Sequence, residues 1–374
     1  MAKRKNGEGT FGKQNVNGIE YFYYKSPEGK FTRARTNKEL LEKIEKKKQE
    51  EKKPCVDKKL TFYDYCTEFW LPSKKVTVEP TTYDCYETML NGMLKPYHLA
   101  NMQIPNLNPR HIQTYINELS EKYSHASIKK MWAILKMILK YGQASQELPV
   151  DFMQIQTLVN IPKESACAVE TKEIPFLSEQ ELDMFVKEAQ SDIYGINAMA
   201  LIFIAYTGLR VSECIALKWH NVNLEDKYIL VTESAAKIKN RGNTSANKEV
   251  AIDKSPKSKA GNRKIPLSKQ TIAVLEKLPH NSDYVFCNSQ GNKLDRRNIN
   301  RTLKSVTSRT DINKDFTVHT LRHTYGSILL RNGVDIKVVS ELLGHSQIST
   351  TYNIYIGILE EDKAADVERV FNAL

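Results

Sequence analysis

Four short clusters in the second half of this 374-residue chain hold side chains whose types and spacing could do chemistry. The first is TGLRVSE at positions 207–213. A glycine after an apolar stretch ends one helix, so Arg210 stands at the entrance to the next, with Glu213 a turn further on. A guanidinium steadied by that carboxylate can face a phosphate, although a purely structural Arg–Glu pair would look the same. The second is KSPKSKAGNRKIP at 254–266, with five basic residues and no acidic one. Its Ala260-Gly261-Asn262 reads as a hairpin tip with strand residues on both sides. A lysine on such a tip could reach a neighbouring site as a point charge or proton donor; a solvated basic loop is the plainer alternative. The third, HTLRHT at 319–324, puts His319, Arg322 and His323 on one face of a helix. In the fourth, LLGHS at 342–346, Gly344 ends a helix begun near Asp335 and exposes His345, and TTYNIY follows at 350–355. Alone, any one of these histidines, or Tyr352 or Tyr355, could be an ordinary core or surface residue.

In order and spacing the four clusters together resemble the tyrosine recombinases, and within them the phage and conjugative-transposon integrases. The resemblance is strong over residues 176–356 and weaker but consistent over 60–163, which is similar to their helical core-site-binding domain. Residues 1–59 are similar to the small arm-binding domain of such integrases, a three-stranded sheet that docks in a DNA major groove. The resemblance implies that Arg210 and Arg322 hold the non-bridging oxygens of a scissile phosphate, supported at Arg210 by Glu213. It implies that His319 and His345 hydrogen-bond the same phosphate or handle the nucleophile's proton. Lys259, with Lys257 as the alternative because loop lengths vary here, would protonate the leaving 5′ oxygen. Tyr355 would be the nucleophile, its register after Thr350-Thr351 favouring it over Tyr352.

Elementary chemistry agrees with these roles. A phosphodiester anion repels nucleophiles and gains charge as attack proceeds, so fixed cations and donors around it stabilise the transition state. A phenol with pKa about 10 must lose its proton as it attacks, and an alkoxide leaving group needs an acid. A phosphotyrosine bond keeps the energy of the bond it replaces, so rejoining needs no ATP. No Walker-type glycine loop and no carboxylate cluster suited to Mg²⁺ is apparent, so neither metal nor another cofactor is expected.

The elements that must position these residues are mostly helical. The expected fold is mainly α and multidomain: a β-sheet-plus-helix arm-type DNA-binding domain (1–59), an all-α core-binding domain (60–163), a linker (164–175) and a mostly α catalytic domain with a small β insertion and a C-terminal tail helix (176–374). In the first, GIEYFYYK at 18–25, a turn at 26–29, KFTRAR at 30–35 and a strand near 9–13 predict three strands, followed by a helix from Asn37 to about Lys53 behind a Thr36/Glu39 capping box. Side chains alternate across a strand, so some of Tyr21, Phe22, Tyr23 and Tyr24 must line an outer face with Lys25, Lys30, Arg33 and Arg35, a candidate DNA surface or else a solvated one. Four amphipathic helices are expected at 61–71, 81–94, 111–120 and 126–142, the last with Lys129 and Lys130 off its apolar stripe, where they could touch phosphates. Residues 197–206 read as a buried core helix, and 227–267 as the β insertion.

Charge fits that plan. The net charge is +11, and residues 1–59 hold seventeen Lys/Arg against nine Asp/Glu, which leaves the rest nearly balanced. Six scattered cysteines without paired spacing argue against a disulfide scaffold or a zinc site and fit a reducing bacterial cytoplasm. No run is long enough to span a membrane. The expected partners are double-stranded DNA at core and arm sites, further copies of the chain in a tetramer on DNA, and an excisionase or DNA-bending protein. The rivals are a type IB topoisomerase, which has no use for a second DNA address, and a non-catalytic DNA-binding regulator, which has no use for a tyrosine behind Arg/His pairs.

Overall fold

A computed structural model describes residues 9–16, 19–26, 29–51, 59–169, 175–241, 249–254, 259–314 and 316–356. The chain divides into two compact units, Met1–Thr171 and Lys172–Leu374. In the first, β1 (Thr10–Val16), β2 (Ile19–Lys25) and β3 (Phe31–Ala34) form an antiparallel sheet in that order. The helix Asn37–Glu51 follows, its first turn closed by Glu39 N–H donating to Thr36 Oγ1 at 3.2 Å. Alternation sorts the aromatic strand. Phe22 and Tyr24 pack with buried Ala34, Leu40 and Ile44. Arg33 stands opposite Tyr23 on the other face, and Phe31 opposite Lys25. The Lys25 ammonium lies 5.3 Å and the Arg33 guanidinium 5.9 Å from the exposed Phe31 ring. Lys30 and Arg35 are exposed at the two ends of β3.

The rest of this unit is helical, with its own core around Trp70, Tyr115, Leu135 and Ile138. Residues 62–74 form one helical run widened into π turns over Tyr65–Trp70, and residues 80–94, Pro109–Ser120 and His125–Ala144 supply the other expected helices. Lys129 and Lys130 are exposed on the last of these, away from buried Ile128, Met131 and Leu135. A fifth helix, Phe152–Leu158, was not expected. Its seven residues are too few to display a helical period, and Asp151 starts it by accepting from Met153 and Gln154 N–H. The first part of the expected linker is ordered. Residues 164–166 make a 3₁₀ turn, Cys167 is buried in the helical core, and Ala168 N–H donates to Ser120 O at 2.8 Å, so this stretch is packed. Residues 170–174 lie outside the described residues.

The second unit is built around the apolar helix Gly195–Thr207, whose Leu201, Phe203 and Ile204 are fully buried. The helices Glu179–Ala189, Lys269–Glu276, Arg296–Thr307 and Val318–Arg331 pack on it. Burying side chains of this size contributes roughly 1.5–3 kcal/mol each. The β insertion makes two sheets: β4 (Val222–Asn223), β5 (Tyr228–Val231) and β8 (Arg263–Pro266) in the order β4-β5-β8, and the pair β6 (Ser234–Lys239) and β7 (Glu249–Lys254). The expected hairpin across Ala260-Gly261-Asn262 is therefore not formed. β7 pairs back with β6 and β8 with β5, while Lys259–Gly261 is a 3₁₀ turn entering β8. The C-terminal tail helix expected beyond residue 356 lies outside the described residues.

Candidate active site

The site is assembled by chain reversals that glycine permits. Gly208, at φ +64°, ends the helix Gly195–Thr207, and a Cβ there would strike the Tyr325 ring. The chain then enters Val211–Ala216 with Arg210 as its N-cap residue. Glu213 reaches back, accepting from Arg210 N–H at 2.9 Å and from Arg210 Nη1 at 2.7 Å. Glu213 is buried, whereas the Arg210 side chain keeps 36% of its exposure.

The helix Val318–Arg331 presents His319, Arg322 and His323 as its period requires. His319 is exposed, Arg322 is buried, and His323 is buried between the His319 ring and Tyr355. The rings of His319 and His323 meet edge to face at 4.6 Å. His323 Nδ1 then lies 3.4 Å from Tyr355 Oη. Tyr355 belongs to the helical residues 348–356 and is only 2% exposed, whereas Tyr352 is 42% exposed. Gly326 makes room for it: a Cβ at that position would collide with the Tyr355 hydroxyl and ring. The structure thus sets Tyr355, not Tyr352, against the Arg322 helix.

The helix Ile336–Leu343 ends at Gly344, φ +64°, and its last carbonyls are taken by three different arginines. Arg263 Nε donates to Leu342 O at 2.6 Å, Arg322 Nη2 to Leu343 O, and Arg210 Nη2 to Gly344 O at 3.3 Å. Arg322 also donates to Gly208 O at 2.7 Å, which ties the two glycine-ended helices together. His345 follows, half-buried, sharing a 2.8 Å hydrogen bond through Nδ1 with Thr351 Oγ1.

Burial and mutual repulsion set the protonation states. Burial first, then the guanidiniums of Arg322 and Arg210, pushes His345 down to about 4. Burial, with His319 and Arg322, does the same for His323. His319 is lowered too, by desolvation and then by Arg322. All three are neutral at pH 7, able to accept a proton as well as donate one. Burial pushes Tyr355 up to about 12, although Arg322 pulls the other way. Glu213 is held at about 2: burial opposes its charge, but Arg263 and Arg210 outweigh it.

The structure therefore brings together Arg210, Glu213, His319, Arg322, His345 and Tyr355. Lys259 lies in the turn that enters β8, and the neighbouring Ala260 carbonyl abuts Gly344. Lys257 lies outside the described residues. Lys25, Lys30, Arg33, Arg35, Lys129 and Lys130 belong to the other unit. Arg263 is the site residue that sequence reasoning missed. The signal for it was strand alternation, which puts Arg263 on the same inward face as buried Ile265.

The Phage integrase family profile matches residues 175–361, and the family's N-terminal SAM-like domain matches residues 61–120. A tyrosine recombinase XerC-like protein of Caldanaerobacter subterraneus subsp. tengcongensis is 30% identical over 314 residues, 79% of this chain and 78% of that one. The chain belongs to the phage integrase family of tyrosine recombinases. The recombinase is also 28% identical over 349 residues to the integrase of Staphylococcus phage L54a, covering 86% of this chain and 95% of the phage protein. Among solved structures, the Tn1549 transposon integrase in complex with transposon right end DNA superposes with a TM-score of 0.67 at 18% identity, over 83% of this chain and 99% of that one. A lambda integrase dimer bound to a core site gives 0.60 at 13% identity, over 94% and 96%. At these identities the likeness establishes the fold of the recombinase. Among its described residues no helix is long and apolar enough to cross a membrane.

Proposed function

We propose that this recombinase is the integrase of a mobile element and that Tyr355 is its nucleophile. Tyr355 Oη attacks the scissile phosphorus, the P–O5′ bond breaks, and a 3′-phosphotyrosine linkage forms. The phenolic proton passes to a neutral histidine of the site, and the 5′ oxygen takes a proton from Lys259 or Lys257. Arg210 and Arg322 hold the non-bridging oxygens, with His319 and His345 as further donors and Glu213 as support for Arg210. Rejoining reverses these steps with a new 5′ hydroxyl. The observation that carries the reading is Tyr355 Oη lying beside His323, one residue from Arg322 on the same helix. At 2% exposure the ring must leave the Gly326 notch to meet DNA, so residues 348–356 move on engagement.

Residues 60–163 bind the core site, residues 176–374 carry the chemistry, and residues 1–59 hold a separate arm site through the face bearing Lys25, Lys30, Arg33 and Arg35. The Tn1549 integrase bound to DNA and a lambda integrase tetramer bound to a Holliday junction support duplex DNA as partner and a tetramer as the working assembly. An excisionase or DNA-bending protein completes the partner set, and the bacterial cytoplasm is the compartment. The test is a nicked suicide duplex carrying the element's attachment sequence. Tyr355→Phe is expected to abolish the covalent protein–DNA band and Tyr352→Phe to keep it; a band that survives Tyr355→Phe removes the reading.

A further inference from the structure

The charges beneath Arg210 do not cancel, and the surplus traces to a residue with no access to DNA. Arg263 has a side chain only 6% exposed. Its Nη1 and Nη2 donate to the two oxygens of Glu213 at 3.2 and 2.8 Å, its Nε to Leu342 O at 2.6 Å, and Nη1 again to Gly261 O at 3.3 Å. Glu213, itself 4% exposed, takes Arg210 Nη1 at 2.7 Å on the same oxygen that Arg263 Nη1 approaches. Two guanidiniums around one carboxylate leave one positive charge; Arg210 and Glu213 without the second would leave none. Because Arg263 and Glu213 are both buried, that difference is less screened than it would be in bulk solvent.

We infer that Arg263 is a positioning residue for strand cleavage: it offsets the charge of Glu213, so that Arg210 faces the scissile phosphate as an uncancelled cation. The inference rests on the reading of Arg210 as a phosphate ligand. Arg263 never touches the substrate. It acts through Glu213, and its bonds to Gly261 O and Leu342 O also tie the turn holding Lys259 to the helix end preceding His345. Gly344 leaves it room, since a Cβ there would come within 2.8 Å of Arg263 Nη1.

The experiment measures single-turnover adduct formation by the full chain on the suicide duplex, with an ordinary scissile phosphate or an uncharged methylphosphonate. DNA binding by gel shift and the melting temperature are followed alongside. Arg263→Gln is expected to slow cleavage of the phosphodiester about 30-fold or more, with binding changed no more than about threefold. On the methylphosphonate, which is neutral in the ground state and carries one negative charge fewer in the transition state, that deficit shrinks to about threefold. Removing the offending carboxylate as well restores the single surplus charge of the wild type, so Arg263→Gln with Glu213→Gln cleaves the phosphodiester about tenfold or more faster than Arg263→Gln alone. Arg263→Lys, with the charge but not the fork, falls within about tenfold of the wild type. Equal deficits on both substrates, or a double variant no better than Arg263→Gln, would overturn the inference in favour of a purely architectural role. If Arg263→Gln alone fails to fold, the double variant decides: melting and binding normally, it must form adduct, and failure to do so overturns the inference. An adduct from Tyr355→Phe would instead sink the site reading, and with it the inference that rests on it, an outcome distinct from a failure of the charge balance alone.

Discussion

His323 and His345 are bases kept neutral by their surroundings, and that has a cost in acid. Both are pushed from an ordinary 6.5 to about 4, so between those values the unfolded chain binds more protons than the folded one. Their contribution to stability is complete above about pH 6.5 and is lost as pH falls through 4. Glu213, at about 2 against an ordinary 4.5, acts with the same sign in more acidic solution. Calorimetry from pH 7 to 4.5 should show the melting temperature of the catalytic unit falling by several degrees. His323→Gln should flatten the fall; an unchanged slope would mean that His323 is not held neutral. Arg210, His319, Arg322, His345 and Tyr355 could be named as candidates from the sequence because their motifs, taken together and in order, resemble those of the tyrosine recombinases, whereas each alone reads equally well as a structural residue. Arg263 could not, because its partners Glu213 and Leu342 lie 50 and 79 positions away.

Short elements set the geometry through backbone that tolerates close approach. Gly326, in mid-helix where glycine is normally a liability, is the notch in which Tyr355 rests. Gly326→Ala should cost about 1–3 kcal/mol in urea denaturation, as overpacking does, and should expel the ring. In an ultraviolet pH titration Tyr355 would then ionise below its present value of about 12 and closer to an ordinary phenol. A titration identical to the wild type would mean that the ring repacks in place. The long helices and the arm sheet were legible because period and turn chemistry are local signals. The hairpin at 260–262 was misread for a related reason. Strand-like residues on both sides of a turn look alike whether or not they pair, and here β8 joins β5, more than thirty positions earlier, while β7 joins β6. The seven-residue helix at Phe152–Leu158 offered too little pattern to see.

Each of the two units carries a cluster of cations of its own. The outer face of the small sheet carries Lys25 and Arg33 around Phe31, and the catalytic unit holds Arg322 and Arg263 buried beside the partly exposed Arg210. If the sheet face tracks phosphates, Lys25→Gln with Arg33→Gln should lower the slope of log affinity against log salt by about 2, roughly one for each phosphate no longer neutralised, while adduct formation at the core site persists. An unchanged slope would place the face in solvent. At the other end of the chain, the helix Ile336–Leu343 points its negative pole, the end that ordinarily repels anions, at the place where His345 begins. With guanidiniums seated on the carbonyls of Leu342, Leu343 and Gly344, that pole changes sign. A terminus that on an isolated helix would turn a phosphate away is thereby given the charge that the proposed mechanism asks of it.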